Sequence, residues 1–112
     1  NLIYNELRIM GFNVDVGVVP IQRRTEDDRR VRVQLEVDFV CNLGSKRYYI
    51  QSAYSMPDEE KLRQEEASLR NIDDSFKKII IVGEETPIIR TEAGTTIMSI
   101  YDFLLKENSL EQ

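Results

Sequence analysis

The chain has no histidine, so any chemistry it performs must rest on carboxylates, hydroxyls, amines and a single thiol. Imidazole bases, Ser-His and Cys-His nucleophiles and His-ligated zinc or iron are excluded. The carboxylates with the most regular placement are Glu36 and Asp38. They share one parity of a strand whose other parity is Val31, Val33, Leu35, Val37, Phe39 and Cys41, so the alternation predicts that they project side by side from its less hydrophobic face. By itself that pattern also describes the wet face of an antiparallel strand. Cys41, the lone cysteine, continues the apolar parity and reads as a buried structural thiol. It leaves no partner for an intramolecular disulfide, and a cytoplasmic location is the expectation.

A second alternating stretch follows the turn Asn42-Leu43-Gly44-Ser45. A two-residue loop with Leu43 and Gly44 at its tip would pair Asn42 with Ser45. That register puts Glu36, Asp38, Tyr49, Gln51 and Ala53 on one face, and Val37, Phe39, Tyr48 and Ile50 on the opposite, core-facing side. The strand tyrosines read as packing rather than as a base-stacking platform.

The remaining elements must hold this hairpin. Ile3, Leu7 and Met10 recur at helical spacing, and Gly11 sits where a left-handed stop belongs, predicting a helix of about three turns. Phe12, Val14, Val16 and Val18 predict a strand that ends at Pro20. Arg23, Arg24, Arg29, Arg30 and Arg32 gather around Glu26, Asp27 and Asp28 and read as a solvated hairpin tip. Pro57 followed by Asp58, Glu59 and Glu60 predicts a helix first turn, with Ser55 or Met56 as cap and Leu62, Leu69, Ile72 and Phe76 as its apolar stripe. Residues 78–82 predict a buried strand, and Ile88-Ile89 and Thr96-Ile97-Met98 two short strands about Ala93-Gly94. Ser99, with Asp102 three residues on, resembles a capping box opening a last helix.

With 112 residues, 41% hydrophobic and 31% charged, the chain is expected to fold as one α/β domain with a mixed sheet flanked by helices. Its longest aliphatic run, Ile79-Ile80-Ile81-Val82, is far short of a membrane span, so no membrane partner is expected. A net charge of -5 argues against tight nucleic-acid binding, leaving at most a weak interaction. The chain opens at Asn1 directly inside an amphipathic pattern, which is the expectation for a piece of a longer protein.

The segments Glu36-Val37-Asp38-Phe39-Val40 and Tyr48-Tyr49-Ile50-Gln51-Ser52-Ala53 together resemble the PD-(D/E)XK, or restriction-endonuclease-like, core, in which an Asp on one strand meets an acid-x-Lys on the next. The opening Asn1-Leu2-Ile3-Tyr4-Asn5-Glu6-Leu7 with Gly11-Phe12 is similar to a C-terminal domain of uncharacterised function in bacterial and archaeal AAA-type P-loop ATPases. The same holds for Leu69-Arg70-Asn71-Ile72-Asp73, for Phe76-Lys77-Lys78-Ile79 and for the closing Ile100-Tyr101-Asp102-Phe103-Leu104, so the resemblance covers nearly the whole chain. It implies a helix-strand-strand-strand-helix-strand core and an ATP-binding domain upstream in the same chain. No Walker motif lies in these residues, because Gly44-Ser45-Lys46 lacks the preceding glycine loop.

Carried over residue by residue, the resemblance makes Asp38 the metal-binding Asp, puts Gln51 where the second acid belongs and Ala53 where the Lys belongs, and leaves Glu6 as the candidate helix acid. Losing one anionic ligand at about 4 Å removes roughly 4 kcal/mol at an effective dielectric of 20, so Mg²⁺ would bind weakly. Losing the cation removes about 10²- to 10³-fold in rate. Lys46 and Arg47 do not replace it, the first lying on the wrong parity and the second towards the turn. The resemblance therefore implies a catalytically degenerate nuclease fold acting as an interaction or regulatory module, without a cofactor of its own. Two other readings stay open: an active Mg²⁺-dependent nuclease with a migrated site residue, and a structural dimerisation domain. A protein partner or self-association is compatible with each.

Overall fold

The computed structural model describes residues 1–24, 26–70 and 75–112, with the side chains of 18–24, 30–36, 65, 67, 68 and 70 left aside. The expected stripe residue Ile72 and the segment Asn71-Ile72-Asp73 fall outside the described residues.

Helix α1 (Leu2–Ile9) spans two turns rather than three. Asn1 caps it, its Oδ1 accepting the N–H of Ile3 at 2.9 Å and of Tyr4 at 3.4 Å. Gly11 ends the segment at φ +96°, a conformation favouring glycine. Three strands follow, β1 (Asn13–Arg24), β2 (Arg30–Leu43) and β3 (Lys46–Ala53), then α2 (Glu59–Arg70), β4 (Lys77–Val82), β5 (Ile89–Arg90), β6 (Thr96–Ser99), α3 (Ile100–Leu105) and a closing 3₁₀ turn, Ser109–Glu111. The six strands form one mixed sheet in the order β1-β2-β3-β4-β6-β5. β1, β2 and β3 pair antiparallel, β3 with β4 and β4 with β6 pair parallel, and β5 returns antiparallel to β6.

β1 does not stop at Pro20. It continues to Arg24, and Pro20 sits opposite Gln34. An edge strand tolerates the missing N–H because its outer side has no ladder to feed. The β2–β3 turn differs from expectation by one residue: Leu43 pairs with Lys46, so Gly44 and Ser45 form the tip, with Gly44 at φ +61°. The glycine thus occupies the first loop position, where positive φ is demanded. Because both strands move by one residue, even positions still face odd ones.

Helix α2 also begins later than expected. Asp58, rather than Ser55 or Met56, caps it, accepting the N–H of Lys61 at 2.8 Å. Phe76 lies in the bend before β4, outside the helix. Ser99 caps α3 as the spacing predicted, its Oγ accepting the N–H of Asp102 at 3.0 Å.

Both faces of the sheet are covered. One carries Phe39, Cys41, Tyr48, Ile50, Ile79, Ile81 and Met98 beneath α1 and α3, which contribute Ile3, Leu7 and Phe103. The other carries Val37, Val40, Tyr49, Ile80, Val82 and Ile97 beneath Leu69 of α2. Four consecutive residues of β4, Ile79 to Val82, are therefore buried, as a central parallel strand requires. Tyr49, expected on a wetter face, is only 1% exposed because α2 covers it.

Candidate functional site

The alternation of β2 breaks at the residue of greatest interest. Val16 pairs with Phe39 but Gly17 pairs with Val37, leaving Asp38 as the extra residue of a β-bulge. Val37 and Phe39 share a sequence parity, yet Val37 packs in the α2-side cluster and Phe39 in the α1-side cluster. Gly17 permits this approach: a Cβ there would stand 1.7 Å from the carbonyl oxygen of Val37.

Backbone pairing between β2 and β3 ends at Phe39 with Ile50, and side chains make the next connections. The Asp38 carboxylate accepts the Ser52 N–H at 2.8 Å and the Ser52 hydroxyl at 2.9 Å, both through Oδ2. The Asp38 N–H donates to Gln51 Oε1 at 2.9 Å. Asp38 and Ser52, with Asn1, Tyr4, Val16, Gly17, Val37 and Phe39, line an open hollow of about 550 Å³ below the start of α1.

The structure therefore separates the residues that the sequence reading placed on one face. Asp38 presents its carboxylate with Ser52 on the α1 side. Gln51 and Ala53 share the parity of Tyr49, and Ala53 packs against the α2-side cluster. Gln51, 8% exposed, touches Asp38 through the backbone amide rather than beside the carboxylate. The expected common face of Asp38, Gln51 and Ala53 is thus corrected by the bulge, which rotates Asp38 out of the alternation. Val37 is moved the other way, off the face of Phe39, Tyr48 and Ile50. Glu6 is partly buried on α1 and is not among the residues lining the hollow. Glu36 sits one rung beyond the bulge, opposite Val18.

Among the described residues, no three carboxylate or thiol groups gather as a metal site. Among the described residues lining the hollow, Asp38 is the only one with a charged side chain, and no Lys or Arg side chain joins it there. Cys41, fully buried, has its thiol pushed up to about 12 chiefly by burial and donates weakly to the Tyr48 carbonyl at 3.6 Å. It is a packing residue, as its parity suggested. Ser52, Asn1 and Tyr4 were not singled out by the sequence reading. The signal for the bulge was present, since an isolated glycine inside an alternating strand marks one.

No known protein-family model matches this chain, and no curated protein matches it in sequence. Among the described residues, no helix is long and apolar enough to cross a membrane.

Proposed function

We propose that this chain is a non-catalytic interaction or regulatory domain on a restriction-endonuclease-like scaffold, working as the C-terminal module of an AAA-type P-loop ATPase. The scaffold part is supported by the run α1-β1-β2-β3-α2-β4, with three antiparallel strands and a fourth added in parallel after a crossover helix. The link to an ATPase is supported by the sequence resemblance alone.

The observation that carries the non-catalytic reading is the use made of Asp38. Its carboxylate holds Ser52 of the neighbouring strand, and the Gln51 amide holds the Asp38 N–H. The polar groups at the would-be metal position tie two diverging strands together. Gln51 and Ala53 are not among the residues lining the hollow that Asp38 and Ser52 share, and Ala53 brings no charge. The test is calorimetric titration of the folded domain with Mg²⁺ and Mn²⁺. This reading expects no saturable binding that depends on Asp38; a stoichiometric site lost in Asp38→Ala would refute it.

A further inference from the structure

Ser109 is wholly buried, and its hydroxyl has no hydrogen-bond partner. Buried hydroxyls are normally satisfied, because the water they lose on folding must be replaced. This one belongs to the wall of a second hollow, of about 270 Å³, which shares no described lining residue with the hollow of Asp38.

Three parts of the chain converge there: the exit from α1, the β2–β3 turn and the closing 3₁₀ turn. The last of these is anchored from below. The Tyr48 hydroxyl donates to Glu111 Oε1, and the Lys77 ammonium donates to the carbonyls of Leu110, at 2.8 Å, and Gln112. The wall that carries Ser109 is therefore fixed by bonds to β3 and β4.

Apolar side chains make up much of the lining. Phe12 and Leu110 are buried, Met10 is half-buried, and Leu43 stands 43% exposed where the β2–β3 turn begins. The polar groups are mostly donors. Lys46 Nζ reaches Glu111 Oε1 only at 3.8 Å, with both side chains more than half exposed, so this ion pair is a weak hold on the ammonium. Asn108, exposed and at φ +54°, makes no capping bond with its side chain. Glu111 is the one acid among the described lining residues, and the oxygen it turns to Lys46 already accepts the Tyr48 hydroxyl.

This combination selects a chemistry. The apolar walls suit a short hydrocarbon body, while an ammonium, an amide and an unsatisfied hydroxyl together call for an anionic acceptor. A cationic ligand would meet Lys46, and a neutral alcohol would leave its charge unused. We infer that the hollow binds a small monocarboxylate, its oxygens accepting from Lys46 and the Ser109 hydroxyl and its apolar body lying against Phe12, Leu43 and Leu110. Such a carboxylate can belong to a free acid or to the last residue of a peptide. The site lies apart from Asp38 and goes beyond the reading proposed above, with which it neither stands nor falls.

Calorimetric titration of the protein with sodium hexanoate and with N-acetyl-leucine tests it, with hexanol and hexylamine as controls and amide NMR shifts to locate the ligand. At least one of the two acids is expected to bind saturably with a Kd of about 1 mM or tighter, shifting the amides of Leu43, Lys46 and Ser109. Tighter binding of hexanoate would mark a free acid as the ligand, and tighter binding of N-acetyl-leucine a chain terminus. Hexanol and hexylamine should bind about tenfold more weakly or less. Lys46→Gln and Ser109→Ala should each weaken acid binding about five- to tenfold, while Lys61→Gln, on exposed α2, should not. Ser109→Ala should also leave the melting temperature unchanged or higher, since it removes a hydroxyl that the ligand-free fold leaves unsatisfied. Failure of both acids to saturate at tens of millimolar would overturn the inference. So would hexanol binding as tightly as hexanoate, or an affinity indifferent to both Lys46→Gln and Ser109→Ala in folded variants.

Discussion

The Asp38 carboxylate and Ser52 form a two-point link between β2 and β3, the backbone amide and the hydroxyl of Ser52 both donating to the same oxygen at 2.8 and 2.9 Å. This link lies just past the last backbone pair, Phe39 with Ile50, so it holds together two strands that are beginning to separate. Its consequence is structural. Asp38→Ala removes a charged acceptor from two donors and is expected to destabilise the domain by about 1–3 kcal/mol. Asp38→Asn keeps one carbonyl acceptor and should cost less. Urea denaturation of the two variants measures the difference; a neutral Asp38→Ala would show that the link carries no weight.

Gly17 sets the bulge that turns Asp38. Any Cβ at this position meets the Val37 carbonyl at 1.7 Å, which is backbone and cannot swing aside. Gly17→Ala is expected to destabilise by about 2–3 kcal/mol through forced overpacking. Thermal unfolding checks the magnitude. Amide exchange at Ser52 should accelerate in the same variant, because the bulge that aims Asp38 at its N–H is disturbed.

Much of the fold was legible because its signals are local. Period-two alternation placed β2 and β3, the residues 78–82 run placed β4, and Ser99 with Asp102 placed the start of α3. The site was less legible. Alternation assumes an unbroken pleat, and one extra residue at Asp38 reverses the face of everything on one side of it. Gly17 carried the clue on the neighbouring strand, where only the pairing register gives it meaning. Burial of Tyr49 was likewise hidden, since a tyrosine on a strand does not disclose whether a helix covers it. Pro20 misled for a related reason: whether proline ends a strand depends on whether the strand lies at an edge, which is a property of the whole sheet.

Alkaline pH should destabilise the domain. Burial pushes the Cys41 thiol from its ordinary 9.0 up to about 12, and burial, with the Glu111 carboxylate accepting its hydroxyl, pushes Tyr48 from 10.0 up to about 12. Both groups are held protonated in the folded state, so their contribution to stability is complete below about pH 9 and is lost as pH rises towards 12. Lys77, whose ammonium donates to the carbonyls of Leu110 and Gln112, is shifted down from 10.5, chiefly by burial, and opposes this trend. The melting temperature is expected to fall from pH 9 upward. Cys41→Ala should delay the onset of that fall and Tyr48→Phe should flatten its later part. A melting temperature that rises across this range would contradict the assignment.

Restoring the missing charges should not restore a metal site. In Gln51→Glu with Ala53→Lys, the new acid and amine would start from strand positions that alternate to the α2 side, while the Asp38 carboxylate stays with Ser52 on the α1 side. Ala53 packs against the α2-side cluster, so Lys there is also expected to cost stability. Calorimetry with Mn²⁺ should show no gain in affinity over the wild type. A tight site that disappears on Asp38→Ala would mean that the three positions converge after all.

The most direct measurement of the central claim is metal-dependent cleavage by the unmodified domain. Duplex and single-stranded DNA and RNA would be incubated with it in Mg²⁺ or Mn²⁺, with Asp38→Ala beside it. The account predicts no cleavage above background by either protein, because Asp38 is occupied in joining two strands and neither Gln51 nor Ala53 supplies the charge that the chemistry requires. Cleavage by the wild type that vanishes in a folded Asp38→Ala variant would contradict it and identify the domain as an active nuclease.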